Sequence, residues 1–419
     1  MLTRRAPQFL DITSLLALGL SASLAFSQEK PKLKDFGSSL ERLKWDPKVN
    51  AAVDKGPREM AKISNSEDVV RVETSLVTSD LLVLDTHGQP VKGLSNKDFL
   101  ITEDGKEQNV GLLELHGTAR AGRSIVLIID YSGSLFRYVD MSVDAAKTLV
   151  DQLGPRDRMA VVTDEIKLLT GFTQDKDKLK SKLESLKKQA RNPDARGGWF
   201  RGHSNQFSAL MATLRELFTT EDERPVVVFQ TDGDELVLMQ PRASELPRAS
   251  ELPQSMHLLA RQFSVDDVYK AAEKSKATIY TVIPGIKLLG ISRAEQEERL
   301  GPLKEEAIAA LTRGGRRLSN QKMQLTFERQ LHGMVDHQSV LAILATITGG
   351  WAEFLEEPSQ ANEIYSRIVS DLNTRYIVGY YPTNKEHDSK RRKVSFAVRD
   401  HPEYTVMGRK AYYAPDPDQ

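Results

Sequence analysis

The segment SIVLIIDYSGS at residues 124–134 constrains the fold more than any other part of the chain. Its five consecutive apolar residues, 125–129, lead directly into Asp130. A run without polar alternation is typical of a strand buried on both faces at the centre of a parallel sheet. The hydroxyls of Ser132 and Ser134 follow. In open α/β sheets ligands gather beyond the carboxyl ends of the strands, and oxygen ligands favour Mg²⁺, Ca²⁺ or Mn²⁺. This strand end is therefore a candidate site for a hard cation.

Two later segments offer further oxygen donors. A second buried-strand pattern at 224–230 ends in Thr-Asp-Gly, with Asp232 as its acidic member, and Ser204 opens a helical pattern at 205–218. Each piece alone has a simpler interpretation, because Asp and Ser also cap helices and Gly permits tight turns. The first motif is consistent with a turn, and Ser204 with the N-cap of its helix. The three pieces together follow the order of the metal site in a known family, and this resemblance favours a metal site over these simpler interpretations.

The Asp-x-Ser-Gly-Ser pattern resembles the metal-ion-dependent adhesion site of von Willebrand factor type A domains. In that family two later loops complete the site; the Thr-Asp-Gly here is similar to the family's strand end, and Ser204 stands where the family has Thr. The resemblance implies metal ligation by Asp130, Ser132, Ser134, Ser204 and Asp232. It also implies that a divalent cation, Mg²⁺ or alternatively Mn²⁺ or Ca²⁺, binds an acidic residue of a partner protein, with no catalytic residue required.

Alternating β patterns flank this region on both sides, and neither set is large enough to close a core alone. The motifs GQPVKGL and EDGK before it, and YIVGYYP after it, resemble a group of exported bacterial proteins described as von Willebrand A-related and abundant in acidobacteria. The fold class is therefore predicted as α/β. A doubly wound, mostly parallel-sheet von Willebrand A domain is inserted between amino- and carboxy-terminal strands that form one small β-sandwich.

The predicted boundaries are a signal peptide at 1–27, a linker at 28–68, an amino-terminal β unit at 69–118, the A domain at 119–374 with insertions at 234–262 and 291–337, and carboxy-terminal strands at 375–414. The linker has one short helix near 40–44. The first insertion contains PRASEL twice in tandem at 241–252, which is typical of a surface loop that tolerates length. The second is mainly helical, and a further helix is expected at 339–348.

Composition excludes several functions. Lys plus Arg equals Asp plus Glu at 58 each, so charge gives no indication of a nucleic-acid partner. The chain has no cysteine and no His-Glu-x-x-His, which removes a cysteine nucleophile and the usual zinc sites. Two arginines, an apolar stretch at 12–26 and Ala25-Phe-Ser27 predict a cleaved signal, and hence a secreted or periplasmic protein. No stretch reaches the ~20 apolar residues of a membrane span.

Two alternatives to metal-dependent binding stay open. The chain could be a metal-independent scaffold of the cell envelope. The sequence Gly202-His-Ser204-Asn-Gln also begins like the G-x-S-x-G elbow of serine hydrolases, although it lacks the last glycine and no strand pattern leads into it. The sequence favours the binding module over both.

Overall fold

The structure is a computed structural model that describes residues 43–46, 51–54, 76–115, 122–132, 135, 138–190, 204–218, 224–239, 263–313 and 320–416. The predicted signal peptide at 1–27, Ser134 and the tandem repeat at 241–252 lie outside the described residues.

The segment predicted as a linker contains two paired strands. Strands β1 (Leu43–Asp46) and β2 (Ala51–Asp54) pair antiparallel. The short helix expected near 40–44 is therefore wrong for Leu43 and Lys44. Pro47 follows β1 in the sequence and disfavours a helix there, because the residue before a proline avoids helical geometry.

The amino-terminal β unit comprises β3 (Val77–Leu84), β4 (Phe99–Glu103), β5 (Lys106–Gln108) and β6 (Val110–Leu115). Asp104 and Gly105 form the tight turn between β4 and β5, and both have positive φ. Asp-Gly is a favoured pair for such a hairpin turn.

The main sheet consists of β7 (Arg123–Ile129), β8 (Arg158–Thr163), β9 (Lys167–Thr173), β10 (Arg224–Gln230), β11 (Thr278–Pro284) and β12 (Ala352–Leu355). Its order is β12-β11-β10-β7-β8-β9. All neighbours are parallel except β8 and β9, which are antiparallel.

Helices cover both faces of this sheet: α1 (Val139–Asp151), α2 (Lys176–Ala190), α3 (Gln206–Ala212), α4 (Val265–Lys274), α5 (Arg293–Arg313), α6 (Asn320–Ile347) and α7 (Ala361–Thr374). Alternate residues of β7 enter two separate cores: Leu127 packs with α1, α2 and α7, and Val126 packs with α3, α4 and α6. The doubly wound fold class is thus confirmed. No helix in the described part of the chain is long and apolar enough to cross a bilayer.

Two helices are longer or more irregular than predicted. Helix α6 begins at Asn320 rather than near residue 339, so it continues out of the second insertion. Leu331 of α6 packs with Leu300 of α5 and with Leu288, a small core of its own that extends the apolar contacts available to α6. The helix predicted at 205–218 changes after α3 into a π-helical turn, Thr213–Leu217.

The strands before and after the main sheet in the sequence combine in two four-stranded sheets. The carboxy-terminal strands are β13 (Tyr376–Tyr380), β14 (Arg391–Val398), β15 (Thr405–Met407) and β16 (Ala411–Tyr413). The sheet orders are β15-β3-β13-β6 and β16-β14-β4-β5. Leu81 and Ile101 from the first set pack against Tyr376 and Val394 from the second. The predicted shared β-sandwich is confirmed.

Deletion of residues 376–419 should unfold the amino-terminal β unit. It removes β13 from between β3 and β6 and β14 from beside β4, and it exposes the apolar side chains of Leu81 and Ile101. Exposed strand edges and apolar faces lead to aggregation or proteolysis. Limited proteolysis with mass spectrometry should show rapid cleavage within 77–115.

The control is the isolated segment 118–374, which contains both cores of the main sheet and should unfold cooperatively by circular dichroism. Full protection of 77–115 in the deleted protein would contradict the shared core.

Candidate metal site

Strand register brings the predicted donors to one edge of the main sheet. Ile129 pairs with Gln230 on one side and with Thr163 on the other, so β7, β10 and β8 end together. The next residues, Asp130, Thr231 and Asp164, therefore leave the sheet side by side. This is the carboxyl edge, where ligands of open α/β sheets bind.

Asp130 lies deepest, with 1% of its surface exposed. Its Oδ1 accepts a hydrogen bond from the Ser132 backbone N–H at 2.9 Å, and its Oδ2 accepts one from Thr231 Oγ1 at 2.8 Å. Burial and then repulsion from Asp234 raise the pKa of Asp130 to about 6, against the lowering effect of these hydrogen bonds. The carboxylate is fixed in place and would be stabilised by a nearby cation.

Asp232 and Asp234 face Asp130 from the loop after β10. Each of the three carboxylates offers one oxygen, and these oxygens all lie within 4.8 Å of one another. Gly233 makes this possible through a left-handed conformation, φ +80°, in a tight space where a Cβ would lie 3.3 Å from the Cβ of His337. The predicted pair of Asp130 and Asp232 is brought together, and Asp234 is a third member that the motif does not include.

The hydroxyl donors flank this cluster. Ser132 is buried two residues after Asp130, and Ser134 lies outside the described residues. Ser204 is 2% exposed, and its Oγ donates to Asp164 Oδ2 at 3.4 Å. The other oxygen of Asp164 accepts from the Tyr131 backbone N–H at 3.3 Å. Asp164 thus connects Ser204 to the residue that follows Asp130.

Ser204 is not the N-cap of its helix. That position belongs to Asn205, whose side chain makes no capping hydrogen bond. The helix start is instead capped by Glu235, which is fully buried and accepts from Phe207 N at 2.6 Å, from Ser208 N at 3.1 Å and from Ser208 Oγ at 2.6 Å. A carboxylate at a helix N-terminus is favoured by the helix dipole. Glu235 therefore holds the loop that carries Asp232 and Asp234 against the helix that follows Ser204.

The residues fit a hard cation by donor type and by local polarity. Gln206 donates from Nε2 to Asp234 Oδ1 at 2.9 Å, while its Oε1 is buried and has no hydrogen-bond partner. Thr163 Oγ1 and Gln230 Nε2, at the ends of β8 and β10 on either side of β7, are also buried without partners. Unsatisfied buried polar atoms are rare in folded proteins, and their accumulation at one edge is typical of a site that holds an ion or water.

The sequence motif missed Asp164, Asp234 and Glu235. Asp164 follows the buried run at 158–163 just as Asp130 follows 125–129, so the strand-end argument could have found it. Asp234 and Glu235 directly follow the Thr-Asp-Gly strand end, but their acidity alone did not indicate which of them faces the cluster and which caps a helix.

The sheet order, the helices on both faces and the oxygen donors at the carboxyl edge are those of an α/β ligand-binding domain. More specifically, residues 125–235 match the family model of the von Willebrand factor type A domain. The match includes Asp130, Ser204 and Asp232. This part of the chain is therefore similar to von Willebrand factor type A domains.

Several solved structures are similar to parts of this chain at low identity. BatB from Bacteroides thetaiotaomicron is 14% identical over 60% of this chain and 100% of its own, with a TM-score of 0.34. A von Willebrand factor type A protein from Catenulispora acidiphila is 13% identical over 78% of this chain and 76% of its own, at 0.33. The von Willebrand domain of the pilus tip protein Mfa5 from Porphyromonas gingivalis is 12% identical over 61% and 96%, at 0.35. These likenesses support no inference about ligands. No curated protein matches the chain.

Glu235→Gln should destabilise the domain. The amide replaces one acceptor oxygen by an N–H₂ group that faces the Ser208 or Phe207 donors, and leaving buried hydrogen-bonding groups unsatisfied costs about 1–3 kcal/mol. Urea unfolding measures the loss. Glu298→Gln, an exposed position in α5, is the matched control and should change the free energy of unfolding by less than about 0.5 kcal/mol. Equal stabilities of the two variants would show that Glu235 does not hold the loop.

Proposed function

We propose that this protein binds one divalent cation at the carboxyl edge of the main sheet and uses it to bind a partner protein. Asp130, Ser132, Ser134, Ser204 and Asp232 are the proposed ligands, and we add Asp234. The observation that carries the proposal is the convergence of three carboxylate oxygens, one each from Asp130, Asp232 and Asp234, within 4.8 Å of one another. Mg²⁺ or Mn²⁺ is preferred, with Ca²⁺ as the alternative, because every donor is an oxygen.

The residues of the chain have separate tasks at this site. Asp130 is held by two hydrogen bonds, Asp234 by Gln206, and Ser204 by Asp164, so the donors are oriented in advance. When bound, the cation supplies a coordination position for a carboxylate oxygen of the partner. Pre-orientation of this kind reduces the entropy that binding must overcome.

Asp234 changes the expected balance of charge. Two carboxylates would neutralise a divalent cation. Three carboxylates leave the occupied site with a net negative charge at neutral pH. The third carboxylate should strengthen cation binding and weaken the attraction for an acidic partner residue. The geometry of the site therefore supports cation binding. The proposal that the partner contributes an acidic residue is supported by the family resemblance alone.

The proposal also includes the location of the protein outside the cytoplasm. The signal pattern at 1–27 supports secretion or a periplasmic location, and the flanking motifs support the von Willebrand A-related group found in acidobacteria. We propose a module for adhesion or for assembly in the cell envelope, without enzymatic activity.

Asp130→Asn should abolish the heat of Mg²⁺ or Mn²⁺ binding in calorimetry. The amide keeps the volume of the side chain but loses the negative charge and one acceptor oxygen at the centre of the cluster. In wild type, a cation at 100 times its Kd should add about 2.7 kcal/mol to the free energy of unfolding by mass action. The variant should gain none.

Asp177→Asn, an exposed position in α2, is the control and should bind the cation as wild type does. Wild-type heats from a folded Asp130→Asn protein would refute the metal site and favour the metal-independent scaffold.

Ser204→Thr separates metal ligation from catalysis. Thr restores the residue of the family, keeps a hydroxyl and adds a methyl that narrows the side-chain rotamers, so cation-dependent partner binding should be kept or strengthened. A nucleophilic Ser204 should instead lose activity, because a β-branched alcohol is sterically poor in an elbow built for Ser. Pull-down with Mg²⁺ or with chelator tests the first outcome, and hydrolysis of a chromogenic ester tests the second.

The hydrogen bond that Ser204 makes favours a role as metal ligand over a role as nucleophile. In the described part of the chain the hydrogen-bond partner of Ser204 Oγ is the carboxylate of Asp164 and not a histidine base. Ester hydrolysis by wild type, independent of metal and lost in Ser204→Thr, would overturn the proposal.

A further inference from the structure

A basic cavity lies where the sandwich meets the opposite, amino-terminal edge of the main sheet. It has a volume of 210 Å³. Its lining includes Asp80 of β3, Arg224 at the start of β10, Lys276 and Thr278 before and in β11, and Arg409 between β15 and β16. Because one water needs only about 10–15 Å³ of such volume, the space can hold a small polyatomic ligand.

Arg409 carries a buried charge whose hydrogen bonds, within the described residues, go to backbone carbonyls and not to a carboxylate. It is 8% exposed, and its guanidinium donates to two backbone carbonyls, Glu273 O at 3.3 Å and Ser275 O at 2.8 Å. It forms no direct ion pair with any described residue, and burial lowers its pKa against the weaker, opposing attraction of Asp80 and Glu273. Buried charges are normally paired, because desolvation is costly. This cation is therefore poised for a negatively charged partner.

The backbone fixes Arg409 in this position. Its chain segment bridges Thr348 antiparallel, and Lys410 N donates to Ile347 O at 3.0 Å. Arg409 is thus attached to the end of α6 in the A domain although it belongs to the sandwich. A cation placed by backbone pairing across two domains is oriented before any ligand arrives.

Arg224 and Lys276 add two further charges. Arg224 Nη2 donates to Asp80 Oδ2 at 2.9 Å, but its Nη1 is buried and has no hydrogen-bond partner. Lys276 is exposed and, within the described residues, unpaired. Three cations and one carboxylate leave the lining with a net charge of plus two. The cavity combines surplus positive charge with an unused, buried N–H donor.

We infer that this interdomain cavity is a binding site for a tetrahedral oxyanion of the phosphate or sulfate class. A dianion matches the surplus charge, and its oxygens can accept from Arg224, Lys276 and Arg409, which approach from three separate chain segments. Guanidinium groups bind such anions through short, charge-assisted hydrogen bonds. The site is independent of the metal site, which lies at the other edge of the sheet.

Titration calorimetry of the full chain in metal-free, chelator-containing buffer tests this site. Inorganic phosphate and sulfate are the probes, with acetate and chloride compared at equal ionic strength. Phosphate and sulfate should bind saturably and acetate and chloride should not. Saturation is the criterion, because these anions also stabilise proteins in general by exclusion from the surface.

Three variants localise the binding. Lys276→Gln should weaken phosphate binding at least about 10-fold, the usual effect of removing a charge-assisted hydrogen bond. Asp80→Asn should strengthen it, because it removes the repelling carboxylate. Lys270→Gln, an exposed lysine of α4 away from the lining, is the matched control and should bind as wild type does.

The opposite signs of the Lys276 and Asp80 variants make the outcome decisive. Equal affinities of wild type and Lys276→Gln would overturn the site, as would heats without saturation. Acetate binding as tight as phosphate binding would overturn the class of ligand. Since no divalent cation is present, none of these results depends on the metal site.

Discussion

The buried pair of Asp371 and Arg375 joins the two halves of the molecule. Arg375 is fully buried, and its Nε and Nη2 donate to the Asp371 carboxylate at 2.7 and 2.9 Å. The same carboxylate accepts from Tyr280 Oη of β11 and from Trp351 Nε1, which directly precedes β12. Arg375 also donates to the carbonyl of Asp80 in the sandwich. Removing one member of a buried ion pair is costly, so the end of α7 determines where β13 begins and how the sandwich meets the sheet.

The two edges of the main sheet carry opposite charge. Parallel strands place all their carboxyl ends at one edge and all their amino ends at the other. Asp130, Asp232 and Asp234 gather at the first, and Arg224 and Arg409 at the second. The sandwich meets the sheet at the basic edge, so the acidic cluster lies at the edge that the sandwich does not contact.

The buried strands could be predicted because a buried strand requires only a short, continuous run of apolar residues, which is visible in the local sequence. A run of apolar residues such as 125–129 can be buried on both faces, and its end at Asp130 is set by the first charge. The structure gives β8 and β10 bounds that the apolar runs already indicate. Helix α6 was not predictable to its start at Asn320, because its stability depends on contacts of Leu331 with Leu288 and Leu300 rather than on its own pattern.

The residues of the candidate site also differ in whether the sequence alone could predict them. Asp130 and Asp232 could be found because a motif fixes their spacing from strand ends. Asp164 and Glu235 could not be assigned a role, because the first acts through Ser204 and the second through a helix start 28 residues earlier in the chain at Phe207. Such contacts depend on which loops lie close together in space. This follows from the order of the strands in the sheet and not from the separation of the loops in the sequence.

The acidic edge is difficult to explain by folding alone. Repulsion between Asp130 and Asp234 opposes the folded state, and burial of Asp130 adds to this cost. Hydrogen bonds from Thr231, Gln206 and the Ser132 backbone hold the carboxylates close in spite of it. A scaffold without a ligand would be more stable with neutral side chains at these positions, since replacing uncompensated buried charge relieves the desolvation penalty. The arrangement is consistent with a structure that keeps unfavourable charge together because a cation uses it.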